Sequence, residues 1–167
     1  MPRVQAVEVP VGSLVAQAFS KIDFADAYQV SVPDADLESF ARKFLTVRIG
    51  WIEALFKLRN RLVSIFGLKT SLEAPPLPPQ KVTFEPGTNV AIFRVFQKNS
   101  QEILLGEDDK HLDFRFSLLL QGEGANAQAV ISTVVHFNNW LGRAYFIPVA
   151  PFHKLIVRAI LSRAAKA

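Results

Sequence analysis

At 167 residues with 50% hydrophobic and 20% charged side chains, the chain is sized for one domain with a real core, and a disordered polymer is excluded. The absence of cysteine excludes a disulfide scaffold, a cysteine nucleophile and a thiolate zinc site. Nineteen Lys and Arg against fifteen Asp and Glu leave +4, too small an excess to point to nucleic acid.

The charge is unevenly spread. Arg42, Lys43, Arg48, Lys57, Arg59 and Arg61 fall in one stretch with only Glu53 opposing them, and Arg143, Lys154, Arg158, Arg163 and Lys166 sit in an acid-free C-terminal part. The amino end lacks a basic-then-apolar signal pattern, and no apolar run reaches about 18 residues. A cytoplasmic protein without a transmembrane segment is therefore expected.

In chain order, residues 24–32 alternate, with Tyr28, Val30 and Val32 on one face and Ala25, Ala27, Gln29 and Ser31 on the other, which predicts a half-buried strand. Pro33 and Asp34 end it, and Asp36 is placed to cap a helix whose apolar residues are Leu37, Phe40, Ala41 and Phe44. After Gly50 a second helix is predicted, with Trp51, Ala54, Leu55, Leu58, Leu62 and Ile65 inward and Gly67 as its cap. It is aromatic on one side and basic on the other. An interfacial membrane helix has that pattern, and so has a helix packed on a sheet, which is the expectation here. The Pro-rich segment 74–80 is expected to be an extended loop across the outside of the domain, with a proline-recognition peptide as the alternative.

Strands are predicted over 90–96, 102–105, 111–121 and 126–138, with turns at 98–101 and 122–125. Leu112, Phe114, Phe116, Leu118 and Leu120 on one strand match Ala127, Ala129, Ile131, Thr133, Val135 and Phe137 on the next, so these apolar sets should pair. A four-residue turn puts Gln121 opposite Asn126 and His111 opposite His136. Pro148 and Pro151 are read as the approach and first turn of a terminal helix, whose inner face would hold Phe152, Leu155, Ile156, Ala159 and Ile160. Phe114, Phe116, Ile131 and Val135 are expected to face that helix. If both basic helices spend their apolar faces on the core, no affinity for acidic vesicles is expected.

Helices early, a long antiparallel meander and one terminal helix: this order resembles the helix-grip fold of the START and birch-pollen-allergen (SRPBCC) superfamily. The strings Gly106–Leu118, Val134–Leu161, Lys21–Val30 and Leu55–Leu68 are similar to the bacterial domain-of-unknown-function family 2867 (DUF2867), and together cover nearly the whole chain. The resemblance implies a single α+β domain over 1–167, a curved antiparallel sheet wrapped around a long C-terminal helix. It implies a small apolar ligand between the two, and for some members fusion to a short-chain dehydrogenase-like domain. The chain lacks Gly-x-Gly-x-x-Gly, so any such partner would be a separate protein. No cofactor is implied, and an oligomer is possible.

Phe114, Phe116, Ile131, Val135, Tyr28, Arg94 and Tyr145 are the candidate pocket residues, since a pocket needs polar groups among apolar walls. His111, Asp113, Arg115 and His136 should share one sheet face. That set can be a solvated salt-bridge cluster, a ligand-contacting group or, with Asp113 beside a histidine, an acid–base pair for a cyclase or isomerase. Arg115 on the same face disfavours a bound metal ion. No Gly-x-Ser-x-Gly supports serine hydrolysis, and no catalytic motif is recognised. Ligand binding is the first expectation. An enzyme, or an interaction module for a reductase partner or membrane surface, is the alternative.

Overall fold

The computed structural model describes residues 2–65 and 82–166. The chain is α+β. Among the described residues, seven antiparallel strands form one sheet: β1 (Gln5–Val7), β2 (Phe24–Ser31), β3 (Asn89–Val90), β4 (Phe93–Lys98), β5 (Glu102–Asp108), β6 (Leu112–Gln121) and β7 (Gln128–Phe137). Their spatial order is β1-β2-β7-β6-β5-β4-β3. Helices α1 (Leu37–Thr46) and α2 (Gly50–Ile65) follow β2, and α3 (Trp140–Ala164) follows β7. The Pro-rich segment 74–80 and Gly67 lie outside the described residues, as do the side chains of Leu62 and Ile65.

The sheet separates two cores because alternate residues of each strand point to opposite faces. On the helix face, Tyr28, Val30, Ile103, Leu105, Phe116, Leu118 and Ile131 pack with Phe40, Ala41 and Phe44 of α1 and with Val157, Leu161 and Ala164 of α3. On the other face lie two smaller clusters. Leu104 and Val134 pack with Val15, Leu14 and Phe19, while Ala27, Leu119 and Val130 pack with Val7 and Val9. The chain between β1 and β2 thus leaves the sheet edge, crosses this second face as a strap over residues 9–19, and returns.

The α1 expectation holds in detail. Asp36 is extended, accepts the Ser39 N–H at 3.0 Å and starts the helix, and Leu37, Phe40, Ala41 and Phe44 are the buried set. The apolar sets of β6 and β7 do share a face, but the register differs by two residues. Gln121 pairs with Gln128 and Asp113 with His136. The connection is longer than four residues: Gly122 takes a positive φ of 75° and a 3-10 turn occupies Gly124–Asn126. An even change leaves every side chain on its expected face.

Other expectations fail for identifiable reasons. The strand over 90–96 is two strands, because Ala91 adopts φ 55° and folds Val90 back onto Phe93. Helix α3 begins at Asn139–Trp140 and runs through Pro148 and Pro151. Asn139 caps it by accepting the Gly142 N–H at 3.1 Å. A proline lacks the N–H that would bond the carbonyl four residues back, so two helical bonds are missing mid-helix. The predicted inner face of α3 is only partly inward: Phe152 and Leu155 are 49% and 57% exposed, Ile156, Ala159 and Ile160 are half-buried with Ile160 packed on the core, and the buried positions are Gly142, Val157, Leu161 and Ala164. In α2, Trp51 and Leu58 are likewise exposed, and Ile52 is the buried residue among the described side chains.

Candidate functional site

The proposed pocket residues divide between the two faces. Phe116, Ile131 and Tyr28 belong to the core cluster with α3, Val135 is buried beside Phe24 and Phe114, and Phe114 packs at the rim. Phe93 meets Phe116 and Phe114 edge-on, with centroids 4.9 and 6.0 Å apart. This face is therefore filled by protein at these residues. Tyr145 is half-buried on α3. Arg94 is not with them: it lies on the strap face, with its guanidinium 5.4 Å over the ring of Phe96.

The polar candidates are not one cluster. His111 sits at the β6 entry, where its Nδ1 meets the Asn139 side chain. Asp113 accepts from the Asp109 N–H at 3.1 Å and from Asn138 Nδ2 at 3.0 Å, so it organises the β5–β6 turn. Asn138 and Asn139 also donate to the carbonyls of Asp109 and Lys110, stapling that turn to the start of α3. His136 faces Asp23, with Nδ1 3.1 Å from Oδ2. The acid–base alternative needs Asp113 beside a histidine, whereas its hydrogen bonds run to Asp109 and Asn138, and among the described residues no three His, Asp or Glu converge as metal ligands.

Arg115 is the most constrained of the four. It is 8% exposed and lies 3.5 Å over the Phe96 ring and 4.9 Å from the Phe19 ring. Its guanidinium pairs with Asp108 at 2.7 Å and donates to the Phe114 carbonyl at 2.9 Å. Gly106, directly opposite, makes this possible: a Cβ there would collide with the Phe114 carbonyl and the Arg115 stem. Phe96 reaches the site because a bulge between Val95 and Gln97 reorients it.

Two Asp–His contacts went unforeseen. Asp23 accepts the Phe137 N–H at 2.8 Å, and that bond, with Lys21 at 3.3 Å and His136, holds its carboxyl below the usual aspartate range against the opposing effect of burial. On the helix face, Asp26 meets His153 Nε2 at 3.2 Å, while its second oxygen is buried without a hydrogen-bond partner. Burial, and next to it the Asp26 carboxylate, raises the nearby Tyr28 hydroxyl. The period-two pattern of β2 does put Asp26 with Tyr28, but the α3 partner depends on how that helix lies.

The strap face carries the open space. A cleft of about 490 Å³ is lined by Val9, Val11, Ala16, Ile22, Ala25 and Val134. A smaller one of about 260 Å³ lies against Leu14, Ala18, Phe96, Leu104 and Arg115, and Gln17 borders both. Between the two small apolar clusters, Ser117 and Ser132 pair across β6 and β7, fully buried, with hydroxyls that have no partner. Buried hydroxyls are nearly always bonded, so two adjacent orphans beneath the strap stand out.

The strap is anchored from the sheet. Glu102, 2% exposed, accepts the N–H groups of Leu14 at 2.7 Å and Val15 at 3.3 Å. These are the free donors at the start of the 3-10 turn Val15–Gln17, the end that favours an anion. Glu102 and the strap were missed because an acid at a strand start reads as a solvated residue. The interior Gly106 signals the close approach of Arg115 rather than of the strap.

No curated protein and no solved structure matches the chain. The model of the family described as protein of unknown function (DUF2867) matches residues 18–160, from the end of the strap to the last turns of α3, and the chain belongs to that family.

Proposed function

We propose that this chain is a START-like small-molecule-binding domain and that its ligand is a compact, largely apolar molecule held beneath the strap. The observation that carries the reading is the open 490 Å³ cleft bordered by Val9, Ala16, Ile22, Ala25 and Val134, with Val11 standing in solvent at its mouth. Its size lies within the roughly 300–1,000 Å³ of small-molecule sites, which combine apolar walls with few polar groups. Gln17 at the border supplies such a group. The long terminal helix on an antiparallel sheet supports the superfamily likeness, but the ligand site moves to the opposite face, because Phe116, Ile131 and Leu161 fill the space under α3. Neither Asp23 nor Asp26 borders the cleft, so binding, rather than acid–base chemistry, is what its residues support.

The test is a fluorescence titration with 1-aminoanthracene, a compact apolar probe, on the wild type and on Ala25→Phe. Ala25 is exposed at the cleft wall, so a phenyl ring there occupies the space without disturbing the core. Saturable binding weakened by about tenfold or more in a variant of unchanged thermal stability is expected, since loss of about 1.4 kcal/mol is tenfold in affinity. Binding indifferent to Ala25→Phe contradicts the site.

A further inference from the structure

Helix α3 has two apolar sides and buries one. Val157, Leu161 and Ala164 pack into the core. On the opposite side Trp140, Leu141, Ile147, Phe152 and Leu155 are 74%, 43%, 69%, 49% and 57% exposed. Their spacing, filled in by Ala144, Pro148 and Pro151, steps by three or four residues and makes one continuous stripe. Scattered exposed apolar residues are ordinary, but a contiguous stripe of this size marks an interaction surface. Arg143, Lys154 and Arg158 flank it at a helical repeat of 100° per residue. No Asp or Glu occurs after Glu123.

We propose that this stripe docks α3 flat on an anionic lipid bilayer. The apolar side chains enter the boundary between headgroups and acyl chains, Trp140 lies at the level that indole rings favour, and the flanking cations meet lipid phosphates. Charge selects this occupant. A second copy seated stripe to stripe would bring cations against cations with no acid on either helix to pair them. The helix is long and apolar enough by composition to cross a bilayer, with a mean hydropathy of 1.4 over 18 residues, but its other side is fixed to the sheet. Docking along the surface satisfies both sides. The expectation that α3 has no apolar face to spare for lipid rested on Phe152, Leu155, Ile156, Ala159 and Ile160 all facing the core, and of these Phe152 and Leu155 are exposed. The surface is independent of the cleft, which lies on the other face of the sheet.

The experiment is co-sedimentation of the full chain with vesicles of phosphatidylcholine alone, and of phosphatidylcholine with phosphatidylglycerol, at low and physiological salt. Binding to the anionic vesicles only, fading with salt, is expected. Lys154→Gln with Arg158→Gln should weaken it about 30-fold, at about 1 kcal/mol for each cation near the surface. Ile147→Ser with Phe152→Ser and Leu155→Ser, all solvent-facing changes, should abolish it while circular dichroism melting is retained. No binding to anionic vesicles overturns the proposal, as does equal binding to neutral ones. A dimer in sedimentation velocity that the serine variant turns into monomer also overturns it, in favour of a second copy of this chain.

Discussion

The carboxylate of Glu102 accepts the backbone N–H of Leu14 at 2.7 Å across 88 positions of sequence. This contact joins the start of β5 to the middle of the strap. It places Val9, Val11 and Ala16 opposite Ala25 and Val134, and so gives the cleft its second wall. The acid is buried, yet its two oxygens meet two N–H groups that otherwise have no helical partner.

Replacing Glu102 by Ala leaves buried donors unsatisfied, at about 1–3 kcal/mol for such a group. Urea denaturation should show a loss of that size, and amide exchange at Leu14 and Val15 should accelerate. Glu102→Gln keeps one acceptor and should lose less.

The hairpin β6–β7 and helix α1 were legible because their apolar periods, two and about 3.6, are local. The two-residue error in register came from the turn, where Gly122 and a 3-10 turn lengthen the connection. Helix α3 was misread for a physical reason. Proline in a sequence marks a helix start, but Asn139 caps this helix earlier, and contacts of Phe146 with Phe24 and Phe137 and of His153 with Asp26 hold it to the sheet on either side of Pro148 and Pro151. Its two apolar sides offered two solutions to the same periodicity, and which one is buried is decided by the sheet. Arg115, Glu102 and the strap depend on contacts distant in sequence and left no local pattern.

Gly142 meets the His111 carbonyl so closely that a Cβ would overlap it and crowd the Leu112 side chain. Gly142→Ala must push the start of α3 off the β6 entry. A destabilisation of about 1–3 kcal/mol, the range for overpacking, is expected. The altered contacts should appear as NMR shift changes at His111, Asn138 and Asn139.

Phe116 is 8% exposed and packed edge-on against Phe93. Phe116→Ala should cost about 3–5 kcal/mol in chemical denaturation, as for a close-packed aromatic. A much smaller loss would mean that the space under α3 is not filled.

Asp23 gives the fold a dependence on acid. Its carboxyl is held below the usual aspartate range in the folded chain, chiefly by the Phe137 N–H. Its ionised form therefore favours the folded state. That stabilisation is complete above the unfolded value and is lost as pH falls through the folded one. Asp23→Asn should lower stability at neutral pH, and the difference from wild type should shrink as pH drops below about 4, the unfolded aspartate value. Melting curves from pH 7 to pH 3 check this.

The most direct test of the ligand site is a crystal of the protein soaked with bromobenzene, a compact apolar probe located by its anomalous scattering. The account predicts a bromine peak between Val9, Ala25 and Val134, beneath the strap, that disappears in Ala25→Phe. A peak between α3 and Phe116, or none beneath the strap, would contradict it.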